Sequence, residues 1–293
     1  VIQAIKYFLY RISGGYSLLP FQFTINIANP CNRKCNFCPN HAPGIIDEYP
    51  WGFYQQWWRR QPPYMDVDKF AGFIKRMGVW RRFIRQISFT GRGETLLHKD
   101  ILKFCEVAER YRIRFHITTN GDRLTKKLEE DLSKFRYLHY VRISLFEPEK
   151  YEYWQSRAAV SPVRIKIQNV TNWHIEGLED GYISTNNAGT AKYSTMPDGF
   201  VDERHCVAPF SFNTLNTDGT LVTCIAFVET GNVFYESWWE CWNGKRMREH
   251  RKKGFCFNID PQLAFCRDCG YMMSHGENKE RYWKQNKLKN CHE

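Results

Sequence analysis

Two periodicities take turns along this chain. Apolar and polar positions alternate, as in a half-buried strand, in FQFTINIAN (21–29), QISFTG (86–91), RFHITTNG (114–121), YVRISLF (140–146), VRIKIQNV (163–170) and GYISTNNAG (181–189). Between most of these the spacing becomes that of a helix with one buried face: DVDKFAGFIKRMG, ILKFCEVAERY, TKKLEEDLSKF and EPEKYEYWQSRAA. Strand–helix alternation predicts a parallel sheet with right-handed crossovers. Six strands in this rhythm suit a partial barrel or a doubly wound sheet. The alternation weakens at the end, where the last two strands are too close for a covering helix. Ahead of the first strand, VIQAIKYFLYRI has apolar residues at 1, 2, 5, 8, 9 and 12. This spacing predicts a helix packed on the body, with a membrane-surface helix as the alternative.

Near residue 195 the pattern changes. STMPDGF reads as a loop, FNTLNTDGTLVTC as a hairpin and SWWECWNGKRMREHRKK as an amphipathic helix, followed by a cysteine-bearing tail. The expected organisation is a helical extension at 1–20, an α/β core at 21–195 and a smaller C-terminal domain at 196–293. No apolar run approaches bilayer length, and no signal-like segment opens the chain, so a cytoplasmic location is expected.

Lys and Arg number 42 against 31 Asp and Glu, a net charge of +11. That surplus favours anionic partners, or is simply a basic surface. Eleven cysteines without an export signal point to reduced thiols and to metal rather than to disulfides.

Three of them, Cys31, Cys35 and Cys38, crowd into NPCNRKCNFCPN, directly after the first strand. Parallel sheets place their ligands at that end of a strand. A structural zinc site takes four protein ligands, whereas three thiolates on a cubane iron–sulfur cluster leave one iron open to a substrate or cofactor. A zinc loop completed by a distant residue, or unrelated thiols, are the alternatives.

The loop resembles the signature of the radical S-adenosylmethionine (SAM) enzymes, including an aromatic, Phe37, before the last cysteine. FTGRGET resembles that family's glycine-glycine-glutamate turn through Gly93 and Glu94, with Arg92 where a glycine is common. The resemblance implies contact with the SAM amino group there. It also places Asn120 of TTNG and Ser144 of RISLF at strand ends that hydrogen-bond SAM. NNAG resembles a sixth-strand stretch, with Asn187 in place of an arginine and Ala188 beside it. The implied fold is a partial (β/α)6 barrel of the radical SAM type with a small C-terminal auxiliary-cluster domain.

The tail, with Cys206, Cys224, Cys266 and Cys269, resembles the SPASM and twitch subfamilies. It implies one auxiliary [4Fe–4S] cluster, for two [4Fe–4S] clusters in all, with zinc on the same ligands as the alternative. Cys105 reads as core. Cys241, Cys256 and Cys291 are candidate hydrogen donors to a substrate radical, or simply buried. The insertion HAPGIIDEYPWGFYQQWWRRQPPYM, with Trp51, Phe53, Tyr54, Trp57, Trp58, Arg59 and Arg60, suits stacking and anion clamping, or a lid that only excludes water.

The activity implied is reductive cleavage of SAM to methionine and a 5′-deoxyadenosyl radical, which removes hydrogen from an unactivated C–H bond. The layout is similar to dehydrogenases and epimerases of aminoglycoside and aminocyclitol pathways, which implies oxidation or epimerisation of a sugar-like substrate. A peptide maturase and a non-catalytic iron–sulfur electron carrier are the alternatives. The implied partners are a small-molecule or peptide substrate, anionic if the basic surplus serves it, and a flavodoxin- or ferredoxin-type electron donor.

Overall fold

The computed structural model describes residues 16–17, 22–35, 38, 41, 60–169, 212–223 and 228–256. Strand and helix alternate as the periodicities predict. β1 (Gln22–Ile25) is followed by α1 (Val67–Arg76), β2 (Gln86–Phe89), α2 (Ile101–Arg110), β3 (Phe115–Thr119), α3 (Lys126–Leu132), β4 (Leu138–Leu145), α4 (Tyr151–Val160) and β5 (Ile165–Asn169). Beyond these come β6 (Phe212–Leu215), β7 (Thr220–Thr223), β8 (Val228–Asn232), α5 (Trp238–Asn243) and α6 (Lys245–Cys256). The expected strand at 181–189 lies outside the described residues, as do the helix at 1–12 and most of the aromatic insertion.

The strands form one sheet in the order β5-β4-β3-β2-β1-β6-β7-β8. β1 to β5 are mutually parallel and step across the sheet in one direction. Right-handed crossovers that all step the same way put their helices on one face, the arrangement of a barrel rather than of a doubly wound sheet. Side chains sort accordingly. Phe23, Ile25, Ile87, Phe89, Phe115, Ile117, Val141 and Ile143 meet the helices in the core cluster, with Phe70 and Phe104. Phe89 packs edge-on against Phe70, Phe104 and Phe115, with centroids 6.0, 6.1 and 5.7 Å away. Strand positions of opposite parity are polar: Thr24, Asn26, Ser88, Thr90, His116, Thr118, Arg142, Ser144, Lys166 and Gln168.

The hairpin expected at 212–224 forms, and its first strand joins β1 in parallel. Leu215, Leu221, Trp238, Trp242 and Met247 share the core cluster with Phe23. The amphipathic stretch expected as one helix is two, α5 and α6. Ser237 caps the first through the Glu240 amide, and Gly244 ends it with extended backbone, ψ 173°.

Candidate functional site

The site is built where β1, β2, β3 and β4 end. Cys31, Cys35 and Cys38 are half-buried in the loop after β1. Two tight turns shape that loop: the Cys38 amide donates to the Cys35 carbonyl at 3.0 Å, and the His41 amide to the Cys38 carbonyl at 3.4 Å. As free thiols, Cys31 is pushed up mainly by burial and Cys35 is pushed up to about 11 by burial and then by Cys38.

Arg33, between the first two cysteines, anchors the loop. Its Nε and Nη2 donate to both Asp122 carboxylate oxygens at 2.7 and 2.5 Å. Nη1 reaches Glu147 at 3.0 Å, and the guanidinium lies 5.6 Å from the Phe146 ring centroid. The neighbouring Asn32 donates to Asp122 at 2.8 Å and accepts from the Asn120 amide at 2.9 Å. The cysteine loop is thus stapled to the ends of β3 and β4. The sequence reading had not singled out Arg33, Asn32, Asp122 or Glu147. The only signal was a cation inside the motif.

The turn after β2 packs against the same loop. A Cβ on Gly93 would stand 2.3, 2.4 and 2.5 Å from the carbonyl oxygens of Pro30, Asn29 and Ala28. The close approach this glycine permits is therefore to the backbone entering the cysteine loop, and the Glu94 amide donates to Pro30 O at 2.8 Å. Gly91 gives way to the Asn26 side chain, which accepts from the Arg92 amide and donates to Asn29.

Glu94 is 3% exposed. Its Oε1 accepts from the Leu96 amide and the Thr119 hydroxyl at 2.9 and 2.6 Å, and its Oε2 from the Asn120 amide at 2.8 Å. Burial pushes its carboxyl above the usual range against the pull of those donors, and its charge is one of the influences that raise Cys31. Through these bonds Glu94 and Asn120, the residues expected to contact SAM, also join β2, β3 and the cysteine loop. Ser144, half-buried, pairs with Gln168 in the β4–β5 ladder, and its hydroxyl makes no hydrogen bond among the described residues. His41 ties the loop exit to the Arg92 carbonyl at 3.0 Å.

The donor set fits an iron–sulfur cluster. It offers three thiolates, Cys31, Cys35 and Cys38, in one loop. A cubane presents a separate iron to each thiolate.

The sequence profile of the radical SAM superfamily matches residues 25–172, just over half of the chain and all of the site above. The chain belongs to the radical SAM superfamily. A second profile, an iron–sulfur cluster-binding domain of the SPASM type, matches residues 206–270, which hold Cys206, Cys224, Cys266 and Cys269. No curated protein matches the sequence. Several solved structures are similar in fold, among them the following three. BtrN in complex with AdoMet and 2-DOIA has a TM-score of 0.67 at 18% identity, over 91% of this chain and 99% of that one. Streptococcus suis SuiB bound to precursor peptide SuiA has a TM-score of 0.55 at 16% identity, over 85% of this chain and 70% of that one. Native anSMEcpe with bound AdoMet and Cp18Cys peptide has 0.56 at 14%, over 92% and 96%. The protein is therefore a radical SAM enzyme with an auxiliary-cluster domain.

Several expected site residues lie outside the description: Phe37, Asn187, Ala188, Cys206, Cys224, Cys266, Cys269 and Cys291, and the side chain of Cys256. Cys105 is core, as expected. Cys241 is fully buried on α5. A Cβ on Gly231 would meet its Sγ at 2.7 Å, and burial, then Glu236 and Glu240, push its thiol up to about 12. Among the described residues no helix is long and apolar enough to cross a membrane.

Proposed function

We propose that this radical SAM enzyme oxidises or epimerises a polyhydroxylated small molecule. One observation carries the reading: the sheet face away from the helices is lined by hydrogen-bonding side chains, Thr24, Asn26, Ser88, Thr90, Thr118, Ser144 and Gln168 among them. A barrel closed on itself as pure core fills that face with branched apolar residues instead. A lining of hydroxyls and amides suits a ligand that carries many hydroxyls. The near end-to-end likeness in fold to BtrN, crystallised with AdoMet and 2-DOIA, supports it.

Cys31, Cys35 and Cys38 would hold the SAM-binding cluster, and Cys206, Cys224, Cys266 and Cys269 one auxiliary cluster. With SAM bound, that cluster would supply the electron for reductive cleavage of the sulfonium and so the chemistry of hydrogen abstraction from an unactivated C–H bond. The chain's own residues hold and shield. Arg33, Asp122 and Glu147 fix the loop, Gly93 lets the second turn close on it, and the Ser144 hydroxyl orients SAM. Phe37, Gly93, Glu94, Asn120, Asn187 and Ala188 complete the SAM site. Cys241 is sealed in the core, which leaves Cys256 and Cys291 as hydrogen donors for epimerisation. A flavodoxin- or ferredoxin-type protein would deliver the electron. A second reading, a peptide substrate, is favoured by the peptides held in SuiB and anSMEcpe.

The test is anaerobic reconstitution, reduction with dithionite and addition of SAM. Release of 5′-deoxyadenosine, abolished by Cys35→Ala, is expected; a folded, cluster-loaded protein that leaves SAM intact is an electron carrier and ends the reading. Deuterium passing from a labelled polyol into 5′-deoxyadenosine identifies the C–H bond, and a carbonyl product separates oxidation from epimerisation.

A further inference from the structure

The sheet face opposite the crossover helices carries charges that the site above does not use. Thr118, Arg142 and Lys166 are cross-strand neighbours on β3, β4 and β5. Arg142 and Lys166 are half-buried. The Arg142 guanidinium donates to the Tyr140 hydroxyl at 2.8 Å and lies 5.4 Å from that ring's centroid. Lys166 Nζ lies 4.2 Å from the same centroid. Tyr140 also stacks on His116, with centroids 4.7 Å apart and ring planes 24° apart. Among the described residues neither cation has an ion-pair partner. Thr118 Oγ1, in the same row, is buried without a hydrogen-bond partner.

The cations of the row also act on the two histidines beside it. Burial lowers His116 to about 3, helped by Arg142, His139 and Lys166. Burial also lowers His139, helped by Arg114, Lys166 and Arg164. Among the described residues no carboxylate is one of these influences. Two half-buried cations facing each other across adjacent strands repel, and a buried hydroxyl without a partner adds a further cost. Cross-strand neighbours of like charge are destabilising, so a sheet built only for stability avoids them. An anion resting on the row would relieve all three penalties at once. The row also sits two residues before Ser144 and Gln168 along β4 and β5, roughly 7 Å along the strands. That interval separates an acidic group held by the row from atoms at the SAM end of the strands.

We propose that Thr118, Arg142 and Lys166 form a subsite for the acidic group, phosphate or carboxylate, of an anionic polyol substrate. The polyol part rests on the function proposed above; the subsite rests on charges that no described residue neutralises.

Titration calorimetry on the cluster-loaded enzyme tests it, with glucose 6-phosphate, glucuronate and inorganic phosphate as anionic probes and glucose as the neutral parent. The expected result is tighter binding of the sugar acids than of glucose, weakening as salt rises. Arg142→Gln and Lys166→Gln should each lose roughly tenfold or more in affinity, the usual cost of removing one charged hydrogen-bond partner. Arg142→Lys should recover part of it. Circular dichroism and melting temperature show whether each variant is folded. Glucose binding as tightly as every anion, or folded variants holding the anions as well as the parent does, overturns the subsite. The 5′-deoxyadenosine assay is separate: anion binding in an enzyme that leaves SAM intact removes the catalytic reading and keeps the subsite.

Discussion

At Arg33 a single side chain reaches two strand ends, and its planar fork meets both oxygens of Asp122. A lysine keeps the charge and loses the fork. Arg33→Lys is therefore expected to lower iron bound per chain after reconstitution by roughly threefold or more, with only a small change in melting temperature. Iron analysis beside a thermal melt checks it; full iron loading would show that the cysteines hold their loop unaided. His116 makes a different prediction. Its hydrogen bonds to Gln86 and Ser88, together with burial, keep the imidazole neutral, with a pKa lowered to about 3. The unfolded chain takes up a proton near pH 6.5, before the folded one does. This contribution to stability is thus fully present above about pH 6.5 and is lost as pH falls toward 3, by up to about 1.4 kcal/mol per pH unit. His116→Gln should flatten that limb in denaturant titrations at several pH values; an unchanged slope would show that the imidazole titrates normally.

At the scale of elements, two glycines make a paired test. Gly93 lies against three backbone carbonyls that belong to the cysteine loop. Backbone cannot rotate aside, so Gly93→Ala is expected to cost about 1–3 kcal/mol and to reduce cluster loading. Gly72, inside α1, faces only the Arg76 guanidinium at 3.3 Å, the far end of a flexible chain. Gly72→Ala should stabilise by up to about 1 kcal/mol, since alanine is the better helix former. Urea unfolding of both variants decides, and equal effects would mean that the turn after β2 tolerates displacement. The break between α5 and α6 belongs to this scale too. Gly244 was visible in the sequence, but an amphipathic pattern running across it concealed the interruption.

Across the whole molecule, the C-terminal strands extend the sheet at the β1 edge, and their side chains share one core with the barrel. The Ser17 amide and carbonyl are also bound by Asn243 and Trp242. A chain ending at residue 195 would expose the β1 edge and strip Phe23 of Trp238, which packs edge-on at 6.1 Å. Calorimetry of the full chain is expected to show one cooperative transition over these elements, and the shortened chain should fail to stay soluble. A soluble, melting 1–195 fragment would show instead that the barrel stands alone.

The sequence by itself determined the strand and helix order, the cysteine loop at a strand end and the turn glycines, because each is written in local spacing and local backbone demand. Tertiary structure alone decided what Arg33, Glu94 and Asn120 do, since Arg33 and Asp122 are 89 residues apart and Glu94 and Asn120 are 26 apart. It also decided which parity of each strand faces the ligand. Alternation shows that a strand has two faces, but only crossovers stepping one way put the helices between β1 and β5 on one side and Thr118, Arg142 and Lys166 on the other.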